Sequence, residues 1–313
     1  LLDQHIYRTL TGGARWNNIT PSSLENQIIA EVAFLDPQHG WLVLIGQDDI
    51  GFPTYALAHT DDGGTSWDTI LLDLFPPGDP DAFAGDVHLH FLDAQTGRLV
   101  IERATSSNFS AGTLFHTTDG GATWTKRTIP IGAPVVFITP EIGWTAGGPA
   151  GDQLYRTTDG SRTWQPQSVG DARFYRLPAF TDAQTGVLPA VAATESGTRV
   201  EQYETNDGGQ TWHLSTSLPT DGPVDPVALP LAAVAADRTV LAASGDGHVL
   251  RLSGANRSNV IVTQEAPSIA ELEMVSSNAG WALSSSGHCA PSLDYDTFSA
   301  PLRCCSLETR LLT

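Results

Sequence analysis

Short apolar segments alternate with polar turns along the whole chain, and one such pattern occurs six times. Each copy begins at an apolar residue, continues through a polar turn that in five copies ends in glycine six positions later, and leads into a second apolar run. Apolar runs joined by a short polar turn are typical of a β-hairpin. These copies, which we call Phe–Gly motifs, begin at residues 34, 91, 137, 180, 234 and 274, so that they are 40 to 57 residues apart.

A second hairpin pattern follows four of these motifs and ends in tryptophan. Asp-Gly and Gly-Gly between apolar runs are strong hairpin signals. Two hairpins per period make a four-stranded antiparallel sheet, and such sheets at this period are the blades of a β-propeller. The intact copies of the second pattern are Thr60–Trp67, Thr117–Trp124, Thr157–Trp164 and Thr205–Trp212, and a degenerate copy without the aspartate is Thr9–Trp16.

The aspartate and the tryptophan of the second pattern have structural roles that need no ligand. The aspartate can accept hydrogen bonds from backbone amides of its own turn, and the tryptophan can bury a large apolar face under the hairpin. A calcium or sugar site at these turns is the alternative interpretation. The residues concerned are Asp62, Trp67, Asp119, Trp124, Asp159, Trp164, Asp207 and Trp212.

The predicted fold is all-β: a six-bladed propeller of four-stranded antiparallel blades, or seven-bladed if residues 285–313 supply further strands. The last Phe–Gly motif has no tryptophan box after it, and the box at residues 9–16 has no motif before it. We therefore expect the N-terminal strands, within residues 1–20, to complete the last blade and close the ring, which removes exposed sheet edges. The chain is then a single domain, residues 1–313, with blades at about 28–72, 85–129, 133–168, 173–217, 229–264 and 269–313.

The pattern Thr-x-Asp-x-Gly-x-Thr/Ser-Trp is the Asp-box, or BNR repeat. Paired with motifs such as Phe34-Leu-Asp-Pro-Gln-His-Gly-Trp41, it resembles the photosystem II stability/assembly factor family and related bacterial BNR-repeat proteins. The resemblance implies a β-propeller outside the cytoplasm that is non-enzymatic and binds protein. It also implies an arginine-rich patch, but the sequence does not show where such a patch lies.

Composition narrows the range of partners. The net charge is −19, with one lysine, Lys126, and fifteen arginines among 313 residues. Such an acidic surface argues against nucleic acid and against anionic membrane surfaces. It fits a soluble protein, or one that meets a cationic partner or metal ions. No stretch approaches the ~20 apolar residues of a transmembrane helix, so we expect no membrane insertion of this segment.

The three cysteines lie close together near the end of the sequence. Cys289 paired with Cys304 or Cys305 would form one disulfide and leave one thiol, which indicates an oxidising compartment. The chain begins inside a repeat and without methionine, so we expect a processed, exported protein in a secreted, periplasmic or cell-surface location.

Polar residues cluster on the predicted innermost strands of blades 6, 1 and 2, which are neighbours in a closed ring. Imidazole and carboxylate groups at alternating strand positions can ligate a divalent metal such as zinc. The alternative is that channel water solvates these groups, with Glu–His contacts between blades. The candidate ligands are Glu31, Asp86, His88, His90, Glu271 and Glu273.

The enzymatic alternative is a sialidase-like glycoside hydrolase. Tyr175-Arg-Leu-Pro178 is similar to the arginine-bearing motif of sialidases, but no arginine triad can be assigned around Arg176 and Arg173. We therefore predict a non-enzymatic scaffold that binds a protein or glycan partner, in a membrane-associated complex. Its binding loops are expected at residues 76–81, 219–226 and 287–305, which interrupt the period.

Overall fold

A computed structural model gives the fold of this protein. It describes residues 5–8, 17–22, 24, 27–49, 51–75, 79, 85–103, 111–194, 197–220, 231–234, 238–243, 248–253, 257–262, 269–276 and 279–284. All regular elements in these ranges are β-strands, and every strand pairing is antiparallel, which confirms the predicted all-β class. No helix in the described part of the chain is long and apolar enough to cross a membrane.

The first of two compact units comprises Leu1–Ala150 and Leu154–Gln167. It begins with a two-stranded hairpin, and three four-stranded sheets follow, each with its strands in chain order. We call these sheets blades 1, 2 and 3. The hairpin is β1 (Tyr7–Arg8) and β2 (Asn17–Asn18); blade 1 is β3 (Ile28–Phe34), β4 (Gly40–Gln47), β5 (Pro53–Thr60) and β6 (Asp68–Leu72); blade 2 is β7 (Val87–Phe91), β8 (Gly97–Arg103), β9 (Ala111–Thr117) and β10 (Thr125–Arg127); blade 3 is β11 (Val135–Phe137), β12 (Gly143–Gly147), β13 (Gln153–Thr157) and β14 (Gln165–Pro166).

The second unit comprises Gly151–Gln153 and Ser168–Thr313. Its first sheet, blade 4, has five strands because the innermost position is divided between two short strands that both pair with the next one. A four-stranded sheet, blade 5, and a final two-stranded hairpin follow. Blade 4 is β15 (Phe174–Tyr175), β16 (Ala179–Phe180), β17 (Gly186–Thr194), β18 (Gly197–Thr205) and β19 (His213–Pro219); blade 5 is β20 (Leu231–Val234), β21 (Thr239–Ala243), β22 (His248–Ser253) and β23 (Arg257–Val262); the hairpin is β24 (Ile269–Ser276) and β25 (Ala279–Ser284).

Within each of blades 1 to 4, the Phe–Gly motif packs against the Asp-box of the same blade. The phenylalanine ring meets the box tryptophan edge to face, a geometry that aromatic pairs favour. The same ring covers the motif glycine so closely that a Cβ atom on Gly97 would lie 2.7 Å from the Phe91 ring. The ring-centroid distances are 6.2 Å for Phe34–Trp67, 6.4 Å for Phe91–Trp124, 6.3 Å for Phe137–Trp164 and 5.9 Å for Phe180–Trp212.

Backbone hydrogen bonds join the same two turns. The amide of the first box glycine donates to a carbonyl in the turn of the Phe–Gly motif, as in Gly120 to Gln95 at 2.9 Å. The hairpins of one blade are therefore fixed to each other by a backbone bond and by an aromatic pair. The equivalent donors and acceptors are Gly63 and Gln38, Gly160 and Glu141, and Gly208 and Gln184.

Apolar side chains fill the space between adjacent blades of the first unit. Trp41 of blade 1 is fully buried and stacks on Phe91 of blade 2, with ring centroids 3.8 Å apart. Val100 and Leu114 of blade 2 pack in one cluster with Phe137 of blade 3. Burial of such side chains, worth roughly 1.5–3 kcal/mol each, is the main force that holds blade to blade.

Candidate functional site

Each intact Asp-box closes on itself through its threonine and its aspartate. In the first box, the Thr60 hydroxyl donates to Asp62 Oδ1 at 2.8 Å and accepts from the Gly64 amide at 2.8 Å. The other end of the turn is bound by the same carboxylate, because the Ser66 amide donates to Oδ1 and the Ser66 hydroxyl to Oδ2. The three other intact boxes repeat these bonds around Asp119, Asp159 and Asp207.

These hydrogen bonds favour the ionised aspartate. They lower the pKa of each box carboxyl to about 2, with the bonds from the serine or threonine at the end of the turn as the largest cause. The oxygens of the carboxylate thus already have donors within the turn. Among the residues that the structure describes, no three histidine, cysteine, aspartate or glutamate side chains form a group that could hold a metal ion.

The third box departs from the others at one position. Ser161 stands where the other three have Gly64, Gly121 and Gly209, and its φ of 72° lies in the left-handed region that favours glycine. The Ser161 side chain is fully buried, and its hydroxyl has no hydrogen-bond partner among the described residues. An unpartnered buried hydroxyl is uncommon in a folded protein and calls for a physical reason.

A shallow cavity of about 520 Å³, open to solvent, lies between the outer strand of blade 2 and the box turn of blade 3, and the fully buried Ser161 is among the residues around it. Two hydrogen bonds join these walls: the Thr128 hydroxyl donates to the Ser161 carbonyl at 3.0 Å, and Trp164 Nε1 donates to the Thr128 carbonyl at 2.8 Å. The lining residues are Lys126, Arg127, Thr128, Ser161 and Arg162. Three of the sixteen lysines and arginines of this acidic chain therefore line one cavity.

Two further basic residues of blade 2, Arg98 and His116, lie close enough to Arg127 to interact with its charge. Arg98 is almost fully buried, and its Nη2 donates to the Pro140 carbonyl at 2.8 Å. Burial lowers the pKa of Arg98 to about 10. Its strand neighbour His116 has a pKa lowered to about 4, first by burial and then by the charges of Arg98, Arg127 and Arg162. The imidazole is therefore neutral at pH 7 and adds no charge, while the arginines keep the region positive.

Three of the predicted channel residues, His90, His88 and Glu31, contact other groups of the protein. His90 Nε2 lies 3.1 Å from the Phe137 amide nitrogen on blade 3, and burial lowers the pKa of His90. His88 Nε2 lies 3.5 Å from a carboxylate oxygen of Glu102. Asp86 is exposed, and Glu31 accepts from the amide of Val32.

Glu271 and Glu273 lie on β24, opposite Leu283 and Trp281 of β25, and their side chains are outside the described residues. The structure thus ties His90 to the neighbouring blade. A metal site formed by His90 together with Glu271 and Glu273 stays a prediction. The three cysteines, and most of the predicted binding loops, also lie outside the described residues.

The segment that is similar to the sialidase motif, Tyr175-Arg-Leu-Pro178, begins at the last residue of β15 and fills the break before β16. Arg176 donates to the carbonyl of Tyr175, and burial lowers the pKa of the guanidinium. A tyrosine–glutamate pair does occur in this blade, with the Tyr203 hydroxyl 2.7 Å from Glu201 Oε2. Both residues of that pair lie on β18, one strand further out than β17, so the pair is not on the innermost strand where a channel site would be expected.

Comparisons with known proteins confirm the predicted resemblance. No protein-family model matches the chain. Over 121 residues, or 38% of the chain, it is 31% identical to the photosystem II assembly lipoprotein Ycf48 of Synechococcus sp. (strain CC9902). The aligned part spans only 29% of the length of that relative.

Solved structures extend the likeness of the fold to most of the chain. YCF48 from Cyanidioschyzon merolae matches 90% of the chain and 86% of its own, with a TM-score of 0.54 and 19% identity. The GH74 xyloglucanase from Xanthomonas campestris matches 89% of the chain and 47% of its own, with a TM-score of 0.56 and 15% identity. At these identities the likeness shows the fold alone. The chain is therefore similar to Ycf48 in fold over 90% of its length and in sequence over 38% of it.

Proposed function

We propose that this protein is a non-enzymatic binding propeller that holds an acidic protein partner during the assembly of a larger, membrane-associated complex. The observation that carries the proposal is the basic cavity lined by Lys126, Arg127 and Arg162 on a chain of net charge −19. The Synechococcus relative is an assembly lipoprotein, and this supports the same class of role here.

The distribution of charge supports attachment of the partner at one place on the surface of this protein. Most of the surface of a strongly acidic protein repels an acidic partner, whereas a local cluster of arginines attracts carboxylates and orients the approach. Arginine is suited to this purpose because its planar guanidinium can donate two parallel hydrogen bonds to one carboxylate. The cavity therefore selects both the kind of partner and the face on which it docks.

The architecture proposed for this scaffold has six blades. The described part of the chain contains five sheets of four or five strands, and the two-stranded hairpins β1–β2 and β24–β25 are the first and last elements in it. We propose that the two hairpins together form the sixth blade and close the ring, as the distribution of Phe–Gly motifs and boxes predicts. The extracytoplasmic location predicted from the sequence belongs to the same proposal, and the lipoprotein nature of the relative supports it.

Affinity capture with charge-reversed variants tests the proposed function. Immobilised wild-type protein and the Arg127→Glu/Arg162→Glu variant are incubated with detergent-solubilised membranes of the source organism, and bound proteins are quantified by mass spectrometry. A matched control, Arg103→Glu/Arg173→Glu, reverses two exposed charges outside the cavity. We expect acidic membrane-complex subunits to bind the wild type and the control and to be lost from the cavity variant. Equal capture by all three proteins would contradict the proposal.

A further inference from the structure

We infer that docking of an acidic partner at the basic cavity is coupled to protonation of His116, so that the partner binds more tightly as the pH falls below 7. The inference rests on the proposed function and deepens it, because it adds a form of regulation to the same cavity. Three features carry it: the position of His116 on its sheet, the charges around its ring, and a ring nitrogen without a hydrogen-bond partner.

His116 lies on the face of blade 2 that is turned towards blade 3. It is the cross-strand partner of Arg98 on β8 and of Thr125 on β10. Residues opposite each other in adjacent strands share a face of the sheet, and so do residues two positions apart on one strand. Arg127, two residues after Thr125, therefore lies on the same face as His116. This face packs against blade 3, because the Arg98 guanidinium covers the Phe137 ring.

Every charge that acts on His116 from the described residues is positive. Burial is the largest cause of its lowered pKa, and the charges of Arg98, Arg127 and Arg162 follow. Within the described part of the chain, none of these three arginines forms an ion pair with a carboxylate. A protonated ring at this place would meet three like charges, so the free protein keeps it neutral at pH 7.

The acidic side chains of blade 3 do not offset these charges at His116. Asp159 is bound within its own turn, and Glu141 acts on Arg98 but not on His116. His90, the cross-strand partner of Arg98 on β7, is a base as well and adds no negative charge. A docked acidic partner would therefore bring the carboxylates that this part of the described structure lacks.

The His116 ring can gain a proton without losing a contact at its buried nitrogen. Its Nε2 has no hydrogen-bond partner among the residues that the structure describes. A neutral imidazole carries a proton on one nitrogen, and the imidazolium carries one on each. His90 differs, because its Nε2 lies 3.1 Å from the Phe137 amide nitrogen and accepts its proton, so that protonation of this nitrogen would break the bond.

Binding and protonation are coupled because they involve the same charges. Carboxylates that pair with Arg127 and Arg162 reduce the positive potential at His116 and so raise the pKa of its ring. By thermodynamic reciprocity, protonation of the ring strengthens binding by the same factor. The pKa of His116 is about 4 in the free protein, so the bound ring gains its proton at a higher pH than the free ring does. Affinity should therefore rise as the pH falls from 7 to 5, a range in which the partner's carboxylates stay largely ionised.

Titration of the histidine side chains by NMR tests the coupling without a partner. The resonance of His116 is identified among those of the nine histidines by its absence from His116→Gln. Arg162→Gln removes one of the charges, as a bound carboxylate would neutralise it, and Arg173→Gln removes the same charge from an exposed position outside the cavity. We expect the pKa of His116 to be higher by roughly 0.5–1 in Arg162→Gln and to be unchanged in Arg173→Gln.

Affinity capture from solubilised membranes at pH 5 and at pH 7 tests the effect on binding. The immobilised proteins are the wild type, His116→Gln and His213→Gln, whose substitution lies at an exposed position of β19 outside the cavity. The ratio of partner captured at pH 5 to that at pH 7 should be roughly two- to fourfold higher for the wild type and His213→Gln than for His116→Gln. The comparison among variants removes the general effect of pH on the charge of both binding partners.

Equal capture ratios for the wild type and His116→Gln would overturn the inference, and so would a His116 pKa that is the same in the wild type and Arg162→Gln. The Arg127→Glu/Arg162→Glu variant separates the inference from the proposed function. Loss of capture by that variant, together with equal ratios for the wild type and His116→Gln, would leave the proposed function in place and reject only the coupling. Capture that survives the charge reversal would reject both.

Discussion

The guanidinium carbon of Arg98 lies 4.2 Å from the centroid of the Phe137 ring, on the blade that follows its own. Trp41 occupies the equivalent position one blade earlier, directly after the motif glycine, and covers Phe91 of its following blade. The residue after the motif glycine is thus the contact between neighbouring blades of the first unit. In blade 2 this contact is a buried cation over an aromatic face.

Replacement of Arg98 by alanine should weaken the interface of blades 2 and 3. The substitution leaves a void over Phe137 and removes the donor to the Pro140 carbonyl, so the free energy of unfolding should fall by about 2–4 kcal/mol. Urea denaturation measures this change. Arg173→Ala, at an exposed position just before β15, should change the free energy of unfolding by less than about 0.5 kcal/mol. Equal effects of the two substitutions would contradict the assigned contact.

The buried threonine that opens each box should be required for stability. Thr117→Val keeps the shape of the side chain but removes the hydroxyl that binds Asp119 and the Gly121 amide. We expect a loss of about 1–3 kcal/mol in the free energy of unfolding, because a buried amide is left without an acceptor. Thermal or urea unfolding is the measurement, with Thr125→Val on the exposed outer strand as control. A neutral Thr117→Val variant would show that the turn does not depend on this network.

The motif glycines should resist substitution because of the phenylalanine ring above them. A Cβ on Gly97 would approach the Phe91 ring to 2.7 Å, so Gly97→Ala should destabilise the fold by about 1–3 kcal/mol. The double variant Phe91→Leu/Gly97→Ala should lose less than the sum of the two single variants, because the smaller side chain removes the clash. Strict additivity in a double-mutant cycle would contradict this explanation of the Phe–Gly spacing.

Acid should destabilise the protein in two separate pH ranges. The box aspartates have pKa values lowered to about 2 in the folded state, so their contribution is present above the unfolded value of 3.8 and is lost as the pH falls toward 2. His116 has a folded pKa of about 4, so its neutral form favours folding above pH 6.5 and this contribution declines between pH 6.5 and 4. Melting temperatures of wild type, His116→Gln and Asp119→Asn across pH 2–7 measure both effects.

The two variants separate the contributions of histidine and aspartate. His116→Gln should flatten the decline between pH 6.5 and 4, and Asp119→Asn should flatten the decline below pH 4. Comparison with wild type is essential, because protonation also relieves the repulsion among the excess carboxylates of this acidic chain. Identical pH profiles for the three proteins would show that neither the protonation of His116 nor that of Asp119 is coupled to unfolding.

Local sequence patterns were sufficient to predict the strands and the turns. The Phe–Gly spacing and the Asp-Gly turns are short-range signals, because the interactions that they encode lie within one hairpin or between the two hairpins of one blade. The T-shaped pair of Phe91 and Trp124 is an example, since its two residues come from the two repeated patterns. The division of the innermost strand of blade 4 at Pro178 was not predicted, although proline cannot donate to a sheet ladder.

The basic cavity could not be predicted from local patterns, because its walls come from different blades. Arg127 follows the box of blade 2, and Ser161 and Arg162 belong to the box of blade 3, so only the tertiary fold brings them together. One signal was present in the sequence: the third box reads Asp159-Gly-Ser-Arg162 where the others have a second glycine. Likewise, the strand alternation of His88 and His90 predicts a shared face but not the hydrogen bond that the Phe137 amide donates to His90.

Site-specific photo-crosslinking tests the central claim, that the basic cavity is the docking surface, most directly. A photoreactive amino acid is placed at Thr125, on the exposed outer strand that leads to the cavity, and at Thr69, an exposed threonine on the outer strand of blade 1. After irradiation with solubilised source membranes, we predict crosslinks to an acidic protein from position 125 and none from position 69. These crosslinks should disappear when Arg127→Glu/Arg162→Glu is introduced. Crosslinks from position 69 alone, or crosslinks from 125 that survive the charge reversal, would contradict the account.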